Sequence, residues 1–246
     1  MTENAPSRVA IVTGGSRGIG RQAALRLAAD GQAVVIAYAG RDAEANGVVR
    51  EITATGGQAF AMRADVGDEA AVVALFDAAE REFGGIDVVV NAAGIMILAP
   101  LVDFDLNELD RMHRTNIRGV FVVSQQAARR IRGGGAIINF STSAVKLALP
   151  TYTAYAASKA AVDSISLILA KELRGRDITV NAVAPGPTAT ALFLDGKDEQ
   201  TIERMAKMNP LERLGTPADI AEVVSLLAGS GRWVNGQTIY VNGGVV

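Results

Sequence analysis

Seven short apolar runs alternate along this chain with six longer amphipathic stretches, and that alternation restricts the fold more than any other property of the sequence. The runs fall at 8–13, 33–38, 58–63, 86–91, 136–141, 179–184 and 237–241. The stretches between them fall at 18–29, 43–55, 69–83, 106–132, 154–173 and 217–227. Near-continuous apolar runs of this length read as strands buried on both faces, and strands that alternate with helices read as repeated βαβ units. The expected fold is therefore α/β, a doubly wound seven-stranded parallel sheet with helices on both faces, a Rossmann fold.

Composition agrees with a single large core. The chain has 246 residues, 49% hydrophobic and 20% charged, which reads as one domain over 1–246. Its net charge of −2 and its want of long like-charge runs point to no nucleic acid and no membrane surface as partner. With no cysteine, disulfides, thiolate nucleophiles and cysteine zinc sites are excluded, and no metal is expected. The longest apolar runs, such as 33–39, stop far short of the roughly 18 residues a membrane helix needs. No basic-then-apolar leader opens the sequence, so a cytoplasmic location is the expectation.

Chemistry enters at the first strand–helix junction. In Thr13-Gly14-Gly15-Ser16-Arg17-Gly18-Ile19-Gly20 the glycines follow strand one and open helix one. Glycine permits a tight turn and close backbone approach, and the free N–H groups at a helix start attract a pyrophosphate. Further on, Tyr155 and Lys159 stand at i and i+4 in Tyr155-Ala156-Ala157-Ser158-Lys159. On a helix such side chains share a face, with Cβ atoms about 5–6 Å apart. An ammonium beside the phenol is expected to favour its ionised form and to make it a proton donor near neutral pH. The two motifs together describe a hydride-transfer enzyme.

The spacing Gly-x-x-x-Gly-x-Gly, with Asn91-Ala92-Ala93-Gly94 and the Tyr155/Lys159 pair, resembles the short-chain dehydrogenase/reductase family over nearly the whole chain. The match includes Asp65, Asn116, Pro185-Gly186 and Gly243-Gly244. The members it most resembles are 3-oxoacyl-[acyl-carrier-protein] reductases and naphthol reductases. The resemblance implies a cofactor held by Gly14, Ser16, Arg17, Gly18, Ile19 and Gly20, by Tyr38 and Arg41, and by Asp65 and Val66. It continues over Asn91, Ala92, Ala93 and Gly94, over Tyr155 and Lys159, and over Pro185, Gly186, Thr188 and Thr190. In its scheme Asp65 touches the adenine, Asn91 supports the turn after strand four, and Thr190 meets the nicotinamide carboxamide. Tyr155 exchanges the proton and Lys159 holds the ribose hydroxyls, while Asn116 bends its helix and binds a water that leads from Lys159 to solvent.

The choice of dinucleotide follows from charge. A site for NAD needs a carboxylate at the end of strand two for the ribose 2′-hydroxyl, and here that position is Tyr38. Arg17 in the turn and Arg41 beyond strand two could each pair with a 2′-phosphate. NADP(H) is expected, with Asp42 the residue that could instead turn toward a ribose.

Three hydroxyls, Ser141, Thr142 and Ser143, compete to orient the substrate carbonyl. Common members place this serine thirteen residues before the tyrosine, at Thr142 here. Naphthol reductases carry one more residue and a proline nine after the serine, and Pro150 and Tyr155 fit that count from Ser141. Ser141 is therefore the expected carbonyl holder. The catalytic set is then Asn116, Ser141, Tyr155 and Lys159. Met96, Leu147, Tyr152, Leu192 and Phe193 are expected in the substrate pocket, under a lid at about 186–210. Such a lining suits an apolar or cyclic ketone, and a 3-oxoacyl thioester stays open. His113, the one histidine, lacks the elbow motif of a serine hydrolase. The helix at 154–173 is apolar on nearly all faces, so a second subunit is expected against it, in a homodimer or homotetramer. A catalytically silent dinucleotide sensor or structural subunit is the alternative reading.

Overall fold

Each strand in the computed structural model, which describes residues 8–246, lies parallel to its neighbours in one seven-stranded sheet. The strands are β1 (Val9–Thr13), β2 (Ala33–Tyr38), β3 (Ala59–Arg63), β4 (Val88–Asn91), β5 (Ala136–Phe140), β6 (Thr179–Pro185) and β7 (Thr238–Val241). Their order is β3-β2-β1-β4-β5-β6-β7. The chain winds outward from β1 to β3, returns across the sheet, and winds the other way from β4. Between β1 and β4 the winding reverses, and in such sheets a crevice opens there at the carboxyl ends of the strands.

The period of two within each strand divides the core. Ile11, Val35, Val89, Ile137 and Val180 face one side, where helices α3 (Glu69–Phe83) and α5 (Gly119–Arg130) bring Leu75, Phe76 and Val123. Ala10, Val12, Val34, Ile36, Val90 and Ile138 face the other. They meet Leu27 of α1 (Gly18–Ala29), Ile52 of α2 (Asp42–Ala54) and Ile220 of α10 (Pro217–Ala228). The central strands β1, β4, β5 and β6 are buried along their full length, whereas the edge strands β3 and β7 are half-buried. The predicted doubly wound sheet is the one observed.

The long helix predicted at 106–132 is interrupted. Helix α4 (Leu106–His113) passes into one wide π turn, Arg114–Arg118, before α5 begins. The cause lies in Asn116, fully buried inside that turn. Its Oδ1 accepts from Ile95 N at 2.9 Å and its Nδ2 donates to Ile95 O at 2.9 Å, so the helix opens where its side chain is committed to a neighbouring loop. Helix α7 (Thr153–Glu172) follows, preceded by the short α6 (Ala144–Leu147). The segment 186–210, read as a lid, carries two short helices, α8 (Ala191–Leu194) and α9 (Glu199–Ala206). Among the described residues no helix is long and apolar enough to cross a membrane.

Candidate active site

A cavity of about 420 Å³ runs along the carboxyl edge of the sheet, from the turn after β1 to the loop between β5 and α7. At one end the glycine turn is shaped by close approach. Gly14 has φ +65°, and a Cβ on it would stand 2.8 Å from Ala93 Cα. A Cβ on Gly20 would lie 2.4 Å from Gly14 O. Contacts this short leave no room for a side chain, so the loop packs backbone on backbone and presents the start of α1 to the cavity. Thr13 Oγ1 accepts from Ala93 N at 3.2 Å, which ties this turn to the one after β4. The cradle suits a pyrophosphate.

At the end of β2 the cavity is lined by Tyr38, Gly40 and Arg41, with exposed Arg17 across from them. Burial, with Asp42 close by, raises the Tyr38 phenol above its ordinary value. Arg41 sits at φ +69° and pairs with Glu44 at 2.8 Å. Asp65 lines the cavity too, although its carboxylate accepts from Arg114 at 2.8 Å and from Gly67 N at 2.9 Å.

The chemistry is grouped at the other end. Tyr155, Lys159, Ser141 and Thr142 all line the cavity, together with Met96, Leu147, Tyr152, Leu192 and Phe193. Tyr152 meets the Tyr155 ring edge-on at 6.4 Å. Lys159 Nζ donates to Phe140 O at 2.7 Å rather than to the phenol. Both charged forms suffer from burial: the Tyr155 phenol is pushed up to about 12 and the Lys159 ammonium down to about 8. The expected lowering of the phenol by its cationic neighbour is thus not found, because desolvation dominates and the ammonium is turned to a backbone carbonyl. The phenol is held neutral, with its proton in place.

The three hydroxyls that follow β5 face different partners. Asn139 and Ser141 lie two residues apart, and the strand period carries both toward α7: Asn139 Nδ2 donates to Ser166 Oγ at 2.9 Å, and the Ser141 hydroxyl faces Lys159 O and Asp163. Thr142 points the other way and its hydroxyl faces the Tyr155 phenol. Ser143 is tied to Ala184 O and Asn242. The thirteen-residue count back from Tyr155 falls on Thr142 and the fourteen-residue count on Ser141, and the hydroxyl that faces the phenol is that of Thr142.

Two further expected site residues stand behind the cavity wall. Asn91 donates to Asn139 Oδ1 at 2.8 Å and to Ser124, so it braces β4 against β5. Asn116 supports the first turn of α7 through Ser158 Oγ at 3.0 Å. Around the cofactor end, Ser16, Gly18, Ile19, Val66, Ala92, Ala93, Gly94, Pro185, Gly186, Thr188 and Thr190 line the cavity. Thr188 bonds Gly186 O, and Thr190 caps α8 beside Gly18. Missed by the sequence reading were Ala39, Gly40, Ala64, Thr115 and Ala144 in the wall. His113 is half-buried on α4 and does not reach the cavity.

A fold of this order, with a glycine cradle and a tyrosine–lysine pair on one helix face, defines a dinucleotide-dependent oxidoreductase. The chain belongs to the short-chain dehydrogenase/reductase family. The sequence profile described as Enoyl-(Acyl carrier protein) reductase matches residues 14–246. A short-chain type dehydrogenase/reductase of Picea abies is 47% identical over 97% of this chain and 92% of that one. An NADPH-dependent aldehyde reductase-like protein, chloroplastic, of Arabidopsis thaliana is 43% identical over 97% of this chain and 94% of its own. The structure of a short chain dehydrogenase from Burkholderia cenocepacia in complex with NADP superposes with a TM-score of 0.92 at 37% identity, covering 98% and 99% of the two chains.

Proposed function

We propose that this protein is an NADP(H)-dependent ketoreductase, transferring hydride between nicotinamide and a ketone or secondary alcohol. The observation that carries the reading is one continuous cavity with the glycine cradle at one end and Tyr155, Thr142 and Lys159 at the other. Support for NADP(H) comes from Arg17 and Arg41 at the far end and from the cofactor named for the Arabidopsis and Burkholderia proteins. Bound in the cradle, the reduced cofactor supplies a hydride. The chain supplies the rest.

Thr142 donates to the substrate carbonyl and fixes it beside Tyr155, whose neutral phenol gives its proton to the same oxygen. Proton transfer of this kind contributes roughly 10²- to 10⁴-fold. Lys159 holds the nicotinamide ribose hydroxyls and, as a cation, stabilises the phenolate that Tyr155 becomes once its proton is given up. Asn116 keeps the start of α7 in place, and with it the Tyr155 carbonyl turn that Ser158 caps at 2.7 Å. Leu147, Leu149, Tyr152, Leu192, Phe193 and Met205 form an apolar wall that favours an apolar or cyclic ketone, with a 3-oxoacyl thioester the second substrate class. Leu167 and Ile168 on α7 and Phe121 on α5 are 46–56% exposed, which supports a homodimer or homotetramer built on that face.

Loss of NADPH absorbance against a panel of cyclic ketones, aliphatic ketones and 3-oxoacyl thioesters, with an enoyl thioester as control, tests the reading. Turnover of ketones supports it. Cofactor binding with no turnover anywhere on the panel would leave a silent dinucleotide sensor as the better account.

A further inference from the structure

The tyrosine–lysine face of α7 continues one more turn than the chemistry above uses. Asp163 lies four residues after Lys159 on α7 and is half-buried. From β7, Thr238 Oγ1 donates to Asp163 Oδ1 at 3.0 Å. From the end of β5 the Ser141 hydroxyl faces the same carboxylate while lying 3.5 Å from Lys159 O. Tyr240 on β7 also faces it, and Lys146 Nζ from α6 lies 4.0 Å from the centroid of that ring. Lys159, 5% exposed, has one hydrogen-bond acceptor, a neutral carbonyl. A buried ammonium with so little solvation needs an opposite charge nearby to remain protonated.

We propose that Asp163 is a positioning residue for the hydride-transfer site: clamped by Thr238 and Ser141, its carboxylate faces Lys159 from the next helical turn and keeps the ammonium charged. The inference rests on the reading of Lys159 as part of that site. It also gives the Ser141 hydroxyl, at the cavity wall, a partner in this carboxylate. Burial lowers the Lys159 ammonium to about 8, and Asp163 is the one charge that raises it.

The test is an NMR titration of the cofactor-free protein carrying ε-¹³C lysine, with the Lys159 signal assigned by its loss in Lys159→Arg. In Asp163→Asn the Lys159 midpoint is expected to fall by about one pH unit, and Asp163→Glu should keep it near the wild-type value. Asp163→Ser carries the same expectation where the amide variant does not fold. An unmoved midpoint in either folded neutral variant overturns the proposal. Ketone reduction supplies an independent arm, in which the alkaline limb of kcat/KM moves down by the same amount. A shifted midpoint in a protein that reduces no ketone supports the proposal and rejects the functional reading.

Discussion

Thr142 and Tyr155 turn their hydroxyls toward one another at the inner end of the cavity, while Ser141, one residue earlier, is directed at Asp163 behind it. Two adjacent hydroxyls just past β5 thus face different partners. Thr142→Ala should lower kcat for ketone reduction about 10²- to 10³-fold, as loss of a donor to a developing oxyanion does, and Ser141→Ala by roughly tenfold or less. Steady-state rates of the two folded variants decide the assignment, and a larger loss in Ser141→Ala would reverse it.

Arg17 is exposed beside the cavity and Arg41 is shared with Glu44. A charge-assisted contact with a 2′-phosphate is worth about 1.5–3 kcal/mol, so Arg17→Ser should weaken NADPH about tenfold or more while NADH binding changes little. Fluorescence titration with both cofactors checks this. Equal losses would remove Arg17 from phosphate recognition.

Lys159 carries a thermodynamic signature independent of turnover. Its folded value near 8 lies below its ordinary 10.5, so between those pH values the unfolded chain binds the extra proton and this group makes stability rise with pH. Below about pH 8 the native state bears a buried charge at a cost. Lys159→Met should therefore stabilise the cofactor-free protein at pH 7 by on the order of 1–3 kcal/mol, and less at pH 10, while abolishing reduction. Denaturant melts at the two pH values measure the difference. A variant destabilised equally at both would show that packing, not charge, governs the position.

Gly14 combines a left-handed backbone with a 2.8 Å approach to Ala93. Gly14→Ala should cost about 1–3 kcal/mol of stability and displace the turn that receives the pyrophosphate. Thermal melting and NADPH titration should both register the change. Unaltered cofactor affinity would place the pyrophosphate elsewhere.

Much of this arrangement was legible from residue pattern alone. The central strands were evident because they are apolar without interruption, and helices α1 and α3 appeared with their observed bounds because their ends coincide with marked changes in composition. Hidden from pattern were the features that depend on side-chain direction. The π turn at Asn116 arises from bonds to Ile95, twenty-one residues away, and no local propensity signals it. Asn91 was read as part of the cofactor wall, but its amide is used by Asn139 and Ser124 across the sheet. The phenol's acidity was misjudged because i, i+4 spacing conveys proximity but not desolvation, which dominates at Tyr155. Asp163, one turn beyond Lys159, was visible at the same spacing and went unused.

The account depends most on proton donation by Tyr155. Single-turnover oxidation of bound NADPH by a reducible ketone, followed in wild type and in Tyr155→Phe with matched cofactor occupancy, examines that step alone. A fall of about 10²-fold or more in the variant is the expected result. A rate equal to wild type, with the variant folded and NADPH bound, would contradict it.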